Sequence, residues 1–586
     1  MRILLLAHSF NSLTQRLHAE LAADGHVLSV EFDIADSVTE DAVALFRPDV
    51  VVAPYLRRAV PHSVWSCHLT LIVHPGIVGD RGPSALDWAT QGGERDWGVT
   101  VLQAEAEMDA GPVWATASFP TRDATKASLY RNEVTVAAVA CVREALGRVP
   151  DWRAGRWVPR PLAAFGATRG QPRPLMRQAD RAIDWAREDT RTVLRKLWAA
   201  DGSPGVADRL FDEPCHLFDA HPAARCHHGT PGELIGRRGH ALLRATTDGA
   251  VWIGHARRDG GPHPFKLPAT LAFPEAAGLP ETVAGGDDDW HEIRYRESPD
   301  GRVGHLAFEF YNGAMSTAQC RRLVTAIEAA RRRPTRVLVL EGGRDFWSNG
   351  IHLNVIEAAA SPADESWDNI NAMDDACLAL LTLTDRVTVA AVRGNAGAGG
   401  CFLALAADRV WARDGVVLNP HYRNMGNLYG SEYWTYLLPR RVGAERAREV
   451  MQRRQPMLAA EAAAIGLIDV CFAADPVGFE AEVAARAAAL AVDHAWAAMI
   501  VEKARRRESD EAARPLAAWR ADELTHMHRN FYGFDPSYHV ARYHFVLKSP
   551  HSWTPRHLAR HRDLGFDDAT VPPARRAMSS AAAKRP

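Results

Sequence analysis

LTLIVHPGIVGDRGP, residues 69–83, is the stretch on which the fold of the first part of the chain turns. An unbroken apolar run ends in His74-Pro75-Gly76, and a second turn, Gly79-Asp80-Arg81-Gly82-Pro83, follows closely. Short apolar runs without alternation suit parallel strands buried on both faces. RILLLA from Arg2, VLSVEF from Val27 and DVVVAPYL from Asp49 have the same character, with helical patterns such as Ser12 to Asp24 between them. This alternation predicts parallel α/β units over roughly residues 1–150. The opening MRILLLAHSF lacks a small-residue cleavage site and reads as the first strand rather than a signal peptide.

Further along, QPRPLM interrupts the pattern near Gly170, and residues 232–257 give short alternating strands with glycine turns, as in a small β-barrel. Residues 260–289, with GGPHPF, FPEAAGLP and GGDDD, read as a linker without periodicity. A second α/β region runs from Ile293 to about Pro550, and PPARRAMSSAAAKRP at the end reads as a disordered tail.

A chain of 586 residues exceeds a single core, so several domains are expected. Its 47% hydrophobic and 24% charged residues are those of a globular protein, and the net charge of −2 leaves no basic footprint for a nucleic acid. There is no apolar run of membrane-spanning length, and the eight cysteines lack CxxC spacing, as suits a reducing compartment. The expectation is a cytoplasmic protein without nucleic-acid or membrane partners.

Ligands of open α/β sheets bind at the carboxyl ends of strands, where His74 falls. An aspartate on the later glycine-rich turn, Met108-Asp109-Ala110-Gly111-Pro112, offers it an acid/base partner. A charged imidazole beside a carboxylate can donate to a carbonyl oxygen as it becomes tetrahedral. The ordered string HPG-IV-GDRGP-x4-WA-x7-WGVTV-x6-MDAGP resembles the formyltransferases that use 10-formyl-tetrahydrofolate. That resemblance implies His74 as oxyanion-stabilising acid, Asp109 as its partner and water organiser, and Tyr55-Leu56-Arg57 as the pterin-contacting loop. Arg177-x2-Asp180-x2-Ile183-Asp184-Trp185 and the strands after Gly232 look like the family's C-terminal, OB-like barrel. One departure stands out: Ile72 occupies the place of the family's asparagine, and it has no donor for the formyl oxygen.

In the second α/β region, Asn312-Gly313-Ala314-Met315-Ser316 and a helix precede the strand VLVLEGG, which leads into Asp345-Phe346-Trp347-Ser348-Asn349-Gly350-Ile351-His352-Leu353. Some forty residues on, VTVAAVRGNAGAGGCFLALAADRV gives a strand, a glycine-rich turn and a helix. One backbone N–H from each turn can converge on a carbonyl oxygen, with the helix dipole in support. The arrangement resembles the crotonase (enoyl-CoA hydratase/isomerase) superfamily over roughly residues 290–550. It implies that Ile351 and Gly399 supply those N–H groups, and that Arg542, Phe545 and Lys548 on a terminal helix touch coenzyme A. Arg131 and Asn312 join the expected cofactor-binding residues. The two glutamates of a hydratase are replaced by Phe402 and His421, so enoyl hydration is not expected. Tyr422 and Glu432 are the titratable groups expected to face the thioester, with Glu432 raised in pKa by burial near aromatics.

The fold class expected is therefore α/β multidomain: a Rossmann-like formyltransferase domain (1–165), a barrel-like subdomain and linker start (166–270), a crotonase-like domain (285–555) and a tail (556–586). The fusion resembles a family of hydrogenase-maturation proteins over nearly the whole chain. It implies an enzyme that takes formyl from 10-formyl-tetrahydrofolate to coenzyme A and decarbonylates formyl-CoA, giving the carbon monoxide ligand of a nickel–iron hydrogenase. Partners would be other maturation proteins or the hydrogenase large subunit. Two alternatives stay open: formyl transfer to an amine on tRNA or a sugar nucleotide, and a non-catalytic folate- and CoA-binding scaffold. Cys215, His216, Cys226, His227 and His228 lack the paired spacing of zinc modules, and no metal is expected.

Overall fold

A computed structural model describes residues 1–224, 226–282, 289–473, 475–549 and 553–563. The first sheet has the order Val27–Phe32, Arg2–Ala7, Val50–Tyr55, Thr70–His74, Asp96–Gln103, Val113–Pro120. Its first four strands are parallel, and both faces are covered: Ile3 and Leu5 enter one core while Leu4 and Leu6 enter another. The last two strands run antiparallel, a departure from the all-parallel expectation. An apolar run records burial but not direction. His74 ends its strand at the carboxyl edge, as expected.

The helix Thr190–Ala200 then packs on an antiparallel sheet ordered Val206–Leu210, Glu213–Pro222, Ala250–Arg258, Ala241–Ala245, Leu234–Arg238, with Leu267–Pro268 added to Ala250–Arg258. Two of these strands precede Gly232, where the sequence reading began; charged and proline residues in VADRLFDEPCHLFDAHP mask their alternation. The linker reading of 260–289 needs correction, apart from 283–288, which lie outside the described residues. Leu267, Phe273 and Ala276 are buried, and Asp289 accepts hydrogen bonds from Trp252 (2.9 Å), the Ala224 N–H (3.0 Å) and Arg238. Its prolines and glycines shape short turns against the subdomain instead of loosening the chain.

The last large unit has a sheet ordered Ile293–Glu297, Val303–Phe308, Val337–Gly342, Val387–Val392, Arg409–Arg413, Val470–Phe472, parallel after its first pair. Three of its strands each continue into a second, smaller sheet, as Phe346–Ser348, Asn395–Gly397 and Val417–Asn419. These doubled strands place the glycine turns at one edge. The helix Leu516–Tyr532 packs across the helix Pro362–Leu381 and closes that edge.

The tail expectation for 556–586 also changes at its start. Residues 553–563 cover the edge strand Val27–Phe32: the Val30 N–H donates to the Leu558 carbonyl (3.0 Å), the Phe32 N–H to Thr554 (2.8 Å), and Leu558 enters the first core. Buried Glu31 is met there by His561 and Arg562. Covering an edge strand removes a row of unpaired backbone groups. The remainder, including PPARRAMSSAAAKRP, lies outside the described residues. Among the described residues no single helix is long and apolar enough to cross a membrane.

Candidate functional site

His74 sits buried between two carboxylates. Its Nε2 lies 3.0 Å from Asp80 Oδ1 and its Nδ1 3.4 Å from Asp109 Oδ2. A neutral imidazole has one N–H and can donate to only one of them; an imidazolium serves both. Asp109, at a left-handed φ of 54°, also accepts from the Gly82 N–H (3.1 Å), and Arg173 reaches Asp80 at 3.7 Å. Gly76 is required here: a Cβ would fall 2.3 Å from His74 Nε2. The sequence reading singled out Asp109 and passed over Asp80, although GDRGP stood in the same motif. Asp80 occupies the nitrogen expected to face the formyl oxygen, so a bound substrate must share or displace it. Ile72 packs with Leu56 and Trp65 against the Leu4–Val51 core as an apolar wall.

The loop after Tyr55 is pinned by a residue the sequence did not flag. Buried Asp33 accepts from the Arg57 and Arg58 N–H groups (3.1 and 3.3 Å) and meets His8 Nδ1 (2.9 Å). Arg57 Nε reaches the Tyr55 hydroxyl (3.4 Å), and the Tyr55 ring lies edge-on to Tyr130, centroids 6.2 Å apart. Tyr130 opens a single π-helical turn, Tyr130–Val134, inside a longer helical run. Such widened turns re-aim side chains and often mark functional sites.

Arg131, next in that turn, crosses to the last unit. It meets Asp345 (3.0 Å) and donates to the Asn312 side-chain oxygen (3.0 Å), while Ser128 and Asn132 also donate to Asp345 (2.6 and 2.9 Å). Asn349 ties Asn312 to the second site: its side-chain amide donates to the Asn312 carbonyl (2.8 Å), and its N–H to the Gly313 carbonyl (2.7 Å). From there the chain enters Gly350-Ile351. Buried Asn369, another residue not anticipated, holds this turn by accepting the His352 N–H (3.0 Å) and donating to the Met315 carbonyl (2.9 Å).

Gly399 opens the helix Gly399–Leu405, where first-turn N–H groups have no partner within the helix. Two of the expected residues meet here, beside the neighbour of a third: a Cβ on Gly399 would lie only 2.0 Å from Glu432 Oε1, and one on Gly350, which precedes Ile351, 3.4 Å from the Gly399 nitrogen. Glu432 Oε2 lies 2.6 Å from the Tyr422 hydroxyl, which is 3.0 Å from the Ser431 carbonyl. Burial, then the neighbouring Asp374, raises the Glu432 carboxyl well above the usual carboxylate range. Burial likewise raises the Tyr422 phenol. Phe402 stacks on Tyr422 with centroids 5.4 Å apart. His421 is buried, and desolvation lowers its pKa to about 4.

On the terminal helix Ser537–Leu547, Arg542 is buried and committed to Glu357 (2.7 Å) and His539 (2.8 Å). Phe545 is half exposed, and the Lys548 amine lies over its ring at 4.2 Å. Of the residues once weighed as metal ligands, Cys215 is buried, His216 pairs with Asp259 (3.0 Å) and His227 with Asp289 (3.1 Å).

These two sites define a formyltransferase module joined to a crotonase-fold module. Family models match in the same order: formyl transferase over residues 30–145, formyl transferase C-terminal domain over 175–263, and enoyl-CoA hydratase/isomerase over 310–534. The chain is 55% identical to the hydrogenase maturation factor HoxX of Bradyrhizobium diazoefficiens, over 96% of this chain and 97% of that one. The crystal structure of HypX from Aquifex aeolicus in complex with tetrahydrofolic acid matches with a TM-score of 0.92 at 47% identity, covering 97% of this chain and all of that one. Methionyl-tRNA formyltransferase of Aromatoleum aromaticum is 25% identical over 40% of this chain and 73% of its own length. The chain belongs to the HypX/HoxX family of hydrogenase maturation factors.

Proposed function

We propose that the protein transfers the formyl group of 10-formyl-tetrahydrofolate to coenzyme A and then decarbonylates formyl-CoA, supplying the carbon monoxide ligand of a nickel–iron hydrogenase. The observation that carries this reading is the unbroken run of contacts from the Tyr55 loop through Tyr130, Arg131, Asn312 and Asn349 to Ile351. It joins the candidate folate loop to the candidate thioester turn, as two half-reactions sharing one carbon require. The solved relative that holds tetrahydrofolic acid supports the folate half.

In the first half, His74 donates to the formyl oxygen while the CoA sulfur gives up its thiol proton and attacks the carbon; the carbon–nitrogen bond to the folate breaks, and its nitrogen takes up that proton. Asp109 holds the imidazole at Nδ1, and the formyl oxygen takes the place of Asp80 at Nε2. In the second half, the Ile351 and Gly399 N–H groups polarise the thioester carbonyl. A formyl group has no α-carbon, so enolate chemistry is closed to it. Glu432, hydrogen-bonded to Tyr422, takes the formyl hydrogen as a proton; the carbon–sulfur bond breaks with its electron pair on sulfur, and Glu432 returns the proton to the thiolate. The products are carbon monoxide and free coenzyme A. In this scheme Arg131 and Asn312, and Arg542, Phe545 and Lys548 on the terminal helix, contact coenzyme A, with Arg542 also held by Glu357. On this reading the protein works in the cytoplasm alongside other maturation proteins or the hydrogenase large subunit.

Purified protein mixed with 10-formyl-tetrahydrofolate and coenzyme A should release carbon monoxide that deoxyhaemoglobin traps. Formyl-tetrahydrofolate consumed no faster with coenzyme A than without it, and no gas trapped, would overturn the reading.

A further inference from the structure

Glu432 is not the only buried acid at its site. Asp374, on the helix Pro362–Leu381, and Glu523, on the helix Leu516–Tyr532, are both fully buried and both reach the Ser431–Thr435 segment. Asp374 accepts the Glu432 N–H at 2.7 Å and lies 2.9 Å from the Ser431 hydroxyl. Glu523 accepts the Tyr433 N–H (2.9 Å) and the Thr435 N–H (2.8 Å), takes the Thr435 hydroxyl, and lies 3.2 Å from the same Ser431 oxygen. A hydroxyl carries one proton. It can donate to one of two carboxylates; the other contact stays unsatisfied unless that carboxyl itself holds a proton. The two acids thus share this one hydroxyl proton, with Arg520 Nε 3.4 Å from the same Asp374 oxygen.

The clamp also sets backbone shape. Glu432 and Tyr433 both have φ of 59°, consecutive left-handed residues that neither a glutamate nor a tyrosine favours. Backbone N–H groups of both are taken by the two acids, and this turn aims the Glu432 carboxyl at Gly399.

We propose that Asp374 and Glu523, joined through the Ser431 hydroxyl, are positioning residues that set the proton affinity and aim of Glu432. The proposal rests on the decarbonylase reading for its consequence: a base that must remove an unactivated formyl hydrogen gains from high proton affinity. Burial, Asp374 and Glu523 raise the proton affinity of Glu432, against hydrogen bonds from the Tyr422 hydroxyl and the Ser431 N–H that lower it. The helix Pro362–Leu381 brings Asp374, Asp375 and Cys377, the helix Thr317–Arg331 brings Cys320, and the active-site loop brings Tyr422 and Tyr433. The helix Leu516–Tyr532 brings Glu523 and one cation, Arg520, which is drawn away to Asp374 (3.4 Å) and Asp375 (2.6 Å). Burial raises Asp374, and it pushes Glu523 up to about 8.

The test combines two readouts on full-length wild type, Asp374→Asn, Glu523→Gln and Glu432→Gln. Infrared titration of the substrate-free protein follows the carboxylic-acid band that Glu432→Gln removes. The pH profile of carbon monoxide release from added formyl-CoA follows the same group in turnover. In Asp374→Asn, and to a smaller degree in Glu523→Gln, the band midpoint should fall by about one to three pH units. The rate should begin to rise at correspondingly lower pH yet level off roughly tenfold below wild type, as a weaker base requires. A lost contact alone would lower the rate without moving the midpoint. Folded variants that both keep the wild-type midpoint would overturn the proposal. A shifted midpoint in protein that releases no carbon monoxide, wild type included, would uphold the clamp and refute the proposed function.

Discussion

The two candidate sites solve the placement of a proton in opposite ways. Around His74 a potential cation is held between Asp80 and Asp109, with Arg173 behind, on turns that need Gly76 and the left-handed Asp109. Around Glu432 three carboxyls share one buried loop, and Arg520 pairs with Asp374 and, more closely, with the exposed Asp375. The first arrangement gives both ring nitrogens a carboxylate partner. The second favours a neutral acid whose conjugate is a strong base, suited to a hydrogen that is hard to remove. One chain thus keeps two kinds of proton chemistry apart by placing them in different modules.

The contrast can be broken most sharply at Glu432. Glu432→Gln keeps the shape and removes the base, so carbon monoxide release from formyl-CoA should fall by about 10²–10⁴-fold, measured by haemoglobin trapping. Consumption of formyl-tetrahydrofolate in the presence of coenzyme A should continue, with formyl-CoA accumulating by mass spectrometry. His74→Ala should give the mirror image, a loss of about 10²–10³-fold in formyl-tetrahydrofolate consumption, while formyl-CoA supplied from outside is still decarbonylated.

A smaller effect probes the seam. Arg131→Ala removes the side chain shared by Asp345 and Asn312, and formyl-CoA should escape into solution before cleavage. The check is the ratio of free formyl-CoA to trapped gas, expected to rise several-fold; an unchanged ratio would mean that Arg131 does not join the half-reactions.

The least dramatic difference lies in stability against pH, and its sign differs between modules. Burial raises Glu31, but hydrogen bonds from His561, Thr554 and Arg562 outweigh it and hold its carboxyl below the ordinary glutamate range. Its contribution is present above the unfolded pKa and is lost as pH falls through the lower, folded value. Glu523 is pushed up from 4.5 to about 8, so the folded state holds the extra proton, and its contribution weakens as pH rises from about 4.5 to about 8. Hydrogen exchange should therefore show residues 553–563 loosening on acidification and the helix Leu516–Tyr532 loosening on alkalinisation. Glu31→Gln and Glu523→Gln should each flatten their own trend.

Much of this contrast was legible in the chain. Buried runs such as RILLLA and VLVLEGG marked the strands, and the glycine-rich motifs marked the turns on which His74, Asp109, Ile351 and Gly399 lie, because turns and strand ends are local events. Tyr422 and Glu432, singled out because aromatic and acidic residues crowd one loop, do meet in the fold. What escaped depends on partners far along the chain. Asp33 acts on Arg57, Asn369 on His352, and Asp374 and Glu523 on Ser431, through contacts spanning about 20 to 90 residues. Nothing in the local pattern of an acid on a helix tells whether it faces water or a distant loop. The docking of 553–563 on Val27–Phe32 escaped for the same reason, and the strands Val206–Leu210 and Glu213–Pro222 because prolines and charges hid their alternation.

The most direct measurement of the central claim is to follow one carbon. Protein charged with tetrahydrofolate bearing a carbon-13 formyl group, given coenzyme A, should release labelled carbon monoxide in a single turnover, with labelled formyl-CoA appearing and decaying between the two. Label that ends in formate or on an amine, with none in the gas, would contradict it.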